Sequence, residues 1–120
     1  MNAPAEERAV LRRLARLLAD RGVDAEYAEL RDTDASGQPV TYRWVGLNGR
    51  GRRHIDTSLH YLAAGERLRG RPVPAPTFVW GRNLEHQVAA EPVHAAGEEI
   101  AAQALARAAE LRRQERGELE

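Results

Sequence analysis

The spacing of apolar residues changes along this chain, and that change restricts the possible folds more than any other sequence feature. Near the N-terminus, apolar side chains recur every three or four positions, which places them on one face of a helix. They are Val10, Leu11, Leu14, Leu17 and Leu18. Gly22 follows them and is a natural stop for that helix. From residue 23 to residue 57 the spacing is shorter and turn residues interrupt it, which is typical of β-strands.

The middle of the chain predicts a three-stranded antiparallel meander over residues 23–30, 40–47 and 52–57. The second of these runs is rich in the β-branched and aromatic residues that favour strands. Asn48-Gly49 follows it and favours a tight hairpin, because both positions tolerate a positive φ. Residues 33–39 have the composition of a turn or loop.

A short helix is predicted next, capped by Thr57 or Ser58 and running to about Leu68. Its inward-facing residues are expected to be Leu59, Leu62 and Ala63. After a proline-rich connector, the apolar run Thr77 to Trp80 predicts a fourth strand.

A last long helix is predicted to begin at about Pro92. Its apolar face consists of Val93, Ala96, Ile100, Ala104, Ala108 and Leu111. The charged residues 114–120 are expected to fray. The predicted order is therefore α-β-β-β-α-β-α, in a single α+β domain over residues 1–120. The N-terminal and C-terminal helices are expected to pack against the sheet.

Composition excludes several kinds of chemistry. The 120 residues include no cysteine, which rules out disulfides, thiolate metal sites and a cysteine nucleophile. All 18 basic residues are arginine, so no lysine is present to form a Schiff base or to bind a nucleotide phosphate. Residues 1–21 are too charged for a signal peptide, and no apolar run is long enough to span a membrane. We therefore expect a cytoplasmic protein with no membrane partner.

The net charge is zero, but the charges are segregated along the chain. Residues 43–71 carry seven arginines against two acidic residues. Acidic residues dominate the flanking stretches 23–34 and 91–120. Such segregation favours electrostatically steered binding to a protein partner or to a second copy of the chain.

The basic hairpin at residues 48–54 is the strongest candidate for a binding site. Arginine forks make bidentate contacts to phosphate, and aromatic residues on the preceding strand would stack on bases. The candidate residues are Tyr42, Arg43, Trp44, Arg50, Arg52 and Arg53. In the alternative interpretation, the two aromatic residues face the core and the arginines form a solvated hairpin end.

A second candidate site consists of His54, Asp56 and His60. The first two would point to the same side of a strand, and His60 would approach from the start of the next element. Two imidazoles and a carboxylate can hold a divalent metal. A surface hydrogen bond between a histidine and the aspartate explains the same residues without a metal.

None of these sets of residues is a complete catalytic site. The sequence therefore favours a non-catalytic binding or regulatory protein, and no cofactor is predicted. A nucleic-acid-binding module that uses the basic hairpin is the alternative, and a metal-dependent hydrolase at the histidine pair is the second alternative.

Overall fold

A computed structural model describes residues 3–47 and 57–119 of the chain. Along the chain, one helix precedes the strands and a second helix follows them. Their bounds are α1 Ala3–Asp20, β1 Glu26–Thr33, β2 Pro39–Gly46, β3 Ser58–Leu62, β4 Arg67–Leu68, β5 Arg71–Pro72, β6 Thr77–Trp80, β7 His86–Ala89 and α2 Val93–Leu119. Neither helix, within the part of the chain that is described, is long and apolar enough to cross a membrane.

Five of the strands form one antiparallel sheet in the order β1-β2-β3-β6-β7. Strands β4 and β5 form a separate two-stranded hairpin. The helix α1 contacts α2 and also β1, β2 and β3, whereas α2 contacts β7. The predicted α+β class, with an antiparallel sheet and helices at both ends, is confirmed.

The core lies between the two helices and one face of the sheet. Leu11, Leu14 and Leu18 of α1 are fully buried, as the apolar stripe of the sequence predicts. Each fully buried leucine contributes about 1.5–3 kcal/mol of transfer free energy. Small residues of α2 lie close to α1, and a Cβ added at Gly97 would be 3.2 Å from the Cβ of Leu17. The alanine-rich composition of α2 therefore permits close packing of the helices.

The short helix predicted after Thr57 is wrong, because Ser58–Leu62 forms the central strand β3. Leu59 and Tyr61 are buried in the core and alternate with Ser58 and His60 on the other side. Leu59 and Leu62 also fit a helical spacing, so the local pattern is ambiguous. Pairing with a strand on each side decides in favour of the extended form.

The hairpin of β4 and β5 occupies the end of that predicted helix. Arg69 and Gly70, its two turn residues, have φ angles of 53° and 79°. Positive φ at both central positions is typical of a two-residue turn whose twist matches the strands beside it. Arginine is uncommon at such a position, so the sequence signal for this hairpin is weak.

Of the remaining predictions, some match the structure and others fall outside the described residues. The loop predicted at 33–39 is observed at residues 34–38, between β1 and β2, and the fourth strand has the predicted bounds Thr77–Trp80. Strand β7 is not among the predicted elements. Residues 48–56 lie outside the described residues, so the hairpin at Asn48-Gly49 and the strand from residue 52 stay predictions. The helix α2 includes residues as far as Leu119, and the fraying of residues 114–120 also stays a prediction.

Candidate binding cleft

A cleft of about 670 Å³ lies between strands β2 and β3. The pairing described between these strands consists of Val45 with Leu59 and Gly46 with Ser58, whereas β1 and β2 pair at eight positions. Beyond the short pairing, the cleft is lined by Thr41–Arg43 on one side and by His60–Leu62 on the other. Side chains from both faces of the sheet therefore reach it.

Two loops complete the wall of the cleft. One is the β4–β5 hairpin, which contributes Arg67, Leu68 and Arg69, and the other is the segment 81–84. The Arg69 guanidinium donates a hydrogen bond to the carbonyl oxygen of Asn83, which ties the hairpin to the segment. Arg67 donates to the Gly70 carbonyl at 2.7 Å and so braces the turn.

A glycine and a glutamate hold the segment 81–84 in place. Gly81 is buried and has a φ of 101°, a conformation that other residues rarely adopt. The Glu85 carboxylate accepts a hydrogen bond from the backbone N–H of Asn83 at 2.9 Å. Hydrogen bonds from the backbone N–H groups of Glu85 itself and of Asn83 lower the pKa of this carboxyl group, with smaller contributions from His86 and Arg69. The segment is therefore locally ordered at the edge of the cleft.

Positive charge predominates in the lining. Four arginines, Arg43, Arg67, Arg69 and Arg82, line the cleft together with one acidic residue, Glu7. We call this site the arginine cleft. Arg82 is exposed and, among residues 3–47 and 57–119, forms no hydrogen bond or ion pair. Its guanidinium is therefore the cleft cation most open to a ligand.

Arg43 differs from the other three because its side chain is only 10% exposed and is ion-paired. Its Nη1 lies 3.3 Å from Glu7 Oε1, and its Nε lies 3.5 Å from Glu29 Oε1. The second contact is an ion pair without hydrogen-bond geometry, so the buried Nε has no hydrogen-bond acceptor within the described residues. Arg8 and the Tyr27 hydroxyl also donate to Glu29 Oε1, at 3.0 and 2.5 Å. The network joins α1 to strands β1 and β2.

The pKa values of the two carboxyl groups in this network shift in opposite directions. Burial raises the pKa of Glu7, although the hydrogen bond and charge of Arg43 oppose the rise. The hydrogen bond from Tyr27 lowers the pKa of Glu29, and the charges of Arg8 and Arg43 lower it further. Arg43 is thus engaged in holding the fold together.

Tyr61 lies beside the acidic part of the cleft. Its ring is buried and packs against Phe78, with the ring centroids 5.9 Å apart. Burial raises the pKa of its hydroxyl, and neighbouring carboxylates raise it further. Those carboxylates belong to Glu6, Glu91, Glu66 and Glu7. Acidic side chains thus act on Tyr61, whereas arginines predominate in the lining of the cleft.

Strand alternation places Tyr42 and Trp44 on one side of β2, since their register partners on β1 are Leu30 and Ala28. Tyr42 is 37% exposed and lines the arginine cleft, whereas Trp44 is only 5% exposed. Of the predicted pair, Tyr42 alone presents substantial ring surface. The predicted hairpin arginines Arg50, Arg52 and Arg53 lie outside the described residues.

Of the three candidates for a metal site, the described structure includes His60 alone, so the proposed grouping stays a prediction. His60 lies in β3 and lines the arginine cleft, and not at the start of a helix as expected. His54 and Asp56 fall outside the described residues. Within residues 3–47 and 57–119, no group of three histidine, aspartate or glutamate side chains is arranged to hold a metal ion.

Sequence reasoning missed the arginines of the two loops. A signal for the hairpin is present, because Arg67, Arg69 and Arg71 alternate with other residues over 66–72. Alternation of this kind is typical of a strand and disagrees with a helix. For Arg82 no local signal exists, since only the tertiary fold brings residues 81–84 to strands β2 and β3.

No family model matches the sequence, and no curated protein and no solved structure shows significant similarity to it.

Proposed function

We propose that this protein is a non-catalytic binding protein whose arginine cleft holds an acidic segment of a protein partner. The observation that carries this proposal is the convergence of Arg67, Arg69 and Arg82 around one concave surface. Guanidinium groups form charge-assisted, often bidentate hydrogen bonds to carboxylates. The segregation of charge along the chain supports the same idea, because it would steer an acidic segment toward the cleft.

The rest of the lining favours a peptide over a nucleic acid. Leu62, Leu68 and Leu84 add apolar surface that suits the side chains of a protein segment. Nucleic-acid sites instead combine a long basic groove with several stacking rings. Here Trp44 is buried, so of the two predicted stacking rings only Tyr42 is exposed at the cleft.

Fluorescence anisotropy with defined probes tests the proposal. One probe is a labelled short peptide of alternating glutamate and leucine, and the other is a labelled single-stranded oligonucleotide of the same net charge. At about 50 mM salt, where ionic contacts are weakly screened, the peptide is expected to bind more tightly than the oligonucleotide. Tighter binding of the oligonucleotide would favour a nucleic-acid-binding module instead.

A matched pair of variants locates the binding. Arg82→Gln is expected to weaken peptide binding about fivefold, which corresponds to the loss of one charge-assisted contact of about 1 kcal/mol. Arg113→Gln removes an exposed arginine of α2 that does not line the cleft, and it should leave the affinity unchanged. Equal weakening by both variants would mean that only net charge matters, and the cleft would lose its assigned role.

A further inference from the structure

We propose that strand β1 pairs with β1 of a second copy of this chain, antiparallel and with the two-fold axis at Leu30. Three properties of β1 favour this pairing: the direction of its backbone groups, the order of its charges and the apolar residues beside it.

Strand β1 lies at an edge of the sheet and, among the described strands, pairs with β2 alone. Hydrogen-bonded and non-hydrogen-bonded pairs alternate along an antiparallel ladder. The backbone N–H of Asp34 donates to the carbonyl oxygen of Gln38 at 2.9 Å, so the N–H of Asp34 points toward β2. Thr33 and Pro39 are therefore a non-hydrogen-bonded pair, which suits Pro39 because it has no N–H.

Because the two kinds of pair alternate, the direction of every backbone N–H and C=O group in β1 follows. Even-numbered residues of β1 direct their N–H and C=O groups to β2, and odd-numbered residues direct theirs to the open edge. The outward set is Tyr27, Glu29, Arg31 and Thr33, of which the Thr33 N–H donates to Asp32 Oδ1 at 2.8 Å. An edge with such groups is a template for another strand.

The charges within the outward set select one register. An axis at Leu30 places Glu29 opposite Arg31 of the second copy, and symmetry repeats this pair on the other side of the axis. An axis at Glu29 would oppose two glutamates, and an axis at Arg31 would oppose two arginines. Because opposite charges stabilise cross-strand pairs and like charges destabilise them, the Leu30 register is preferred.

Glu29 has capacity for the additional contact. Arg8, Tyr27 and Arg43 all engage its Oε1 atom. The other carboxylate oxygen of Glu29, Oε2, takes part in none of these three contacts. A carboxylate can accept several hydrogen bonds. Arg31 of the second copy would reach Oε2 without displacing the existing network.

The Leu30 register also completes an apolar row. Leu30 is 46% exposed and is the direct cross-strand neighbour of Tyr42, which is 37% exposed. At the axis, two Leu30 side chains would meet in a non-hydrogen-bonded pair, where Cα atoms are about 4.5 Å apart. The row would then run Tyr42, Leu30, Leu30, Tyr42 across both copies. In this register Asp34 would face Glu26 of the second copy, and the two carboxylates would repel. Asp34 lies beyond the end of β1, so this unfavourable pair is outside the paired strands.

Single-cysteine variants test the register, since the chain contains no other thiol. Leu30→Cys should form an intermolecular disulfide under mild oxidation, because a disulfide needs Cα atoms within about 7 Å. Asp32→Cys is the matched control, because it lies on the same strand and is also exposed. In the Leu30 register, the two copies of residue 32 are offset by four positions, roughly 13 Å, and should not cross-link. Equal cross-linking of both variants would overturn the proposal.

Light scattering over a dilution series tests association without cysteine. The unmodified protein should change from dimer to monomer on dilution. Arg31→Glu should raise the dissociation constant about 30-fold, because it turns two attractive cross-strand pairs into repulsive ones. Arg31→Lys keeps the charge and should keep the dimer. A protein that stays monomeric at all concentrations, or an Arg31→Glu variant that dimerises as before, would contradict the proposed interface.

Discussion

Arg43→Met removes the cation that lies between two carboxylates while keeping an unbranched side chain of similar length. The side chain of Arg43 is 10% exposed and contacts Glu7 and Glu29, whose side chains are 27% and 25% exposed. Without it, Glu7 loses its partner and Glu29 keeps only Arg8 and Tyr27. The variant is therefore expected to leave one partly buried carboxylate uncompensated between α1 and β2.

The expected cost is about 2 kcal/mol of unfolding free energy at neutral pH. Breaking a fully buried ion pair by removing one partner costs about 3–5 kcal/mol. The carboxylates here are about a quarter exposed, so solvent screens part of that penalty. In a domain of this size, 2 kcal/mol corresponds to a fall in melting temperature of roughly 6–12 °C.

Urea unfolding followed by circular dichroism measures this cost, and Arg13→Met on the exposed side of α1 is the control. The control should change stability by less than about 0.5 kcal/mol. The pH dependence gives a second check. Burial raises the pKa of Glu7, so as the pH falls this residue takes up a proton at a higher pH than an ordinary glutamate does. A protonated Glu7 does not need Arg43, and the cost of Arg43→Met should shrink as the pH falls through that raised pKa.

Two results would refute this account of Arg43. One is a cost no larger than that of Arg13→Met, which would mean that solvent compensates the carboxylates fully. The other is a cost that grows as the pH falls, because the penalty is assigned to the ionised form of Glu7.

Two further predictions concern local structure. Gly81→Ala should destabilise the protein by about 1–3 kcal/mol in thermal unfolding, because the residue has a φ of 101° and the new Cβ would lie 2.7 Å from the Glu85 carboxylate. An unchanged melting temperature would contradict the conformation assigned to this segment. The Asp34 carboxyl should titrate below its ordinary range in NMR, because the Ser36 hydroxyl and backbone N–H groups donate to it and lower its pKa. The stability that it contributes is present above the ordinary pKa and is lost as the pH falls through the lowered value. Ser36→Ala should raise the pKa toward its ordinary value, and an unchanged pKa would mean that the hydroxyl is not the main donor.

Local pattern was sufficient for the elements whose interactions are mostly local or repeated. The leucine stripe of α1 predicts both the helix and its buried face, because a period of 3.6 residues leaves no other way to bury Leu11, Leu14 and Leu18 together. The β-branched and aromatic residues within 40–47 predict β2, because they favour extended backbone. The loop after β1 follows from its turn-forming residues. The α+β class depends on these features alone.

Where two local patterns compete, the tertiary structure decided between them. Leu59 and Leu62 fit a helix, and Leu59 and Tyr61 fit a strand, but only the strand can pair with β2 and β6 at once. The same holds for Arg69, whose positive φ is set by the hairpin and not by residue preference.

The candidate sites divide in the same way. The sequence by itself determined that the middle of the chain is basic, that Tyr42 and Trp44 share one side of a strand, and that cysteine and lysine chemistry is absent. Tertiary structure decided which side chains are available. It buried Trp44, paired Arg43 with acids from α1 and β1, and brought Arg82 to strands distant in sequence. The exposure of a side chain and its distance from other side chains depend on long-range packing. The order of charges along the chain does not show which residues that packing brings into contact.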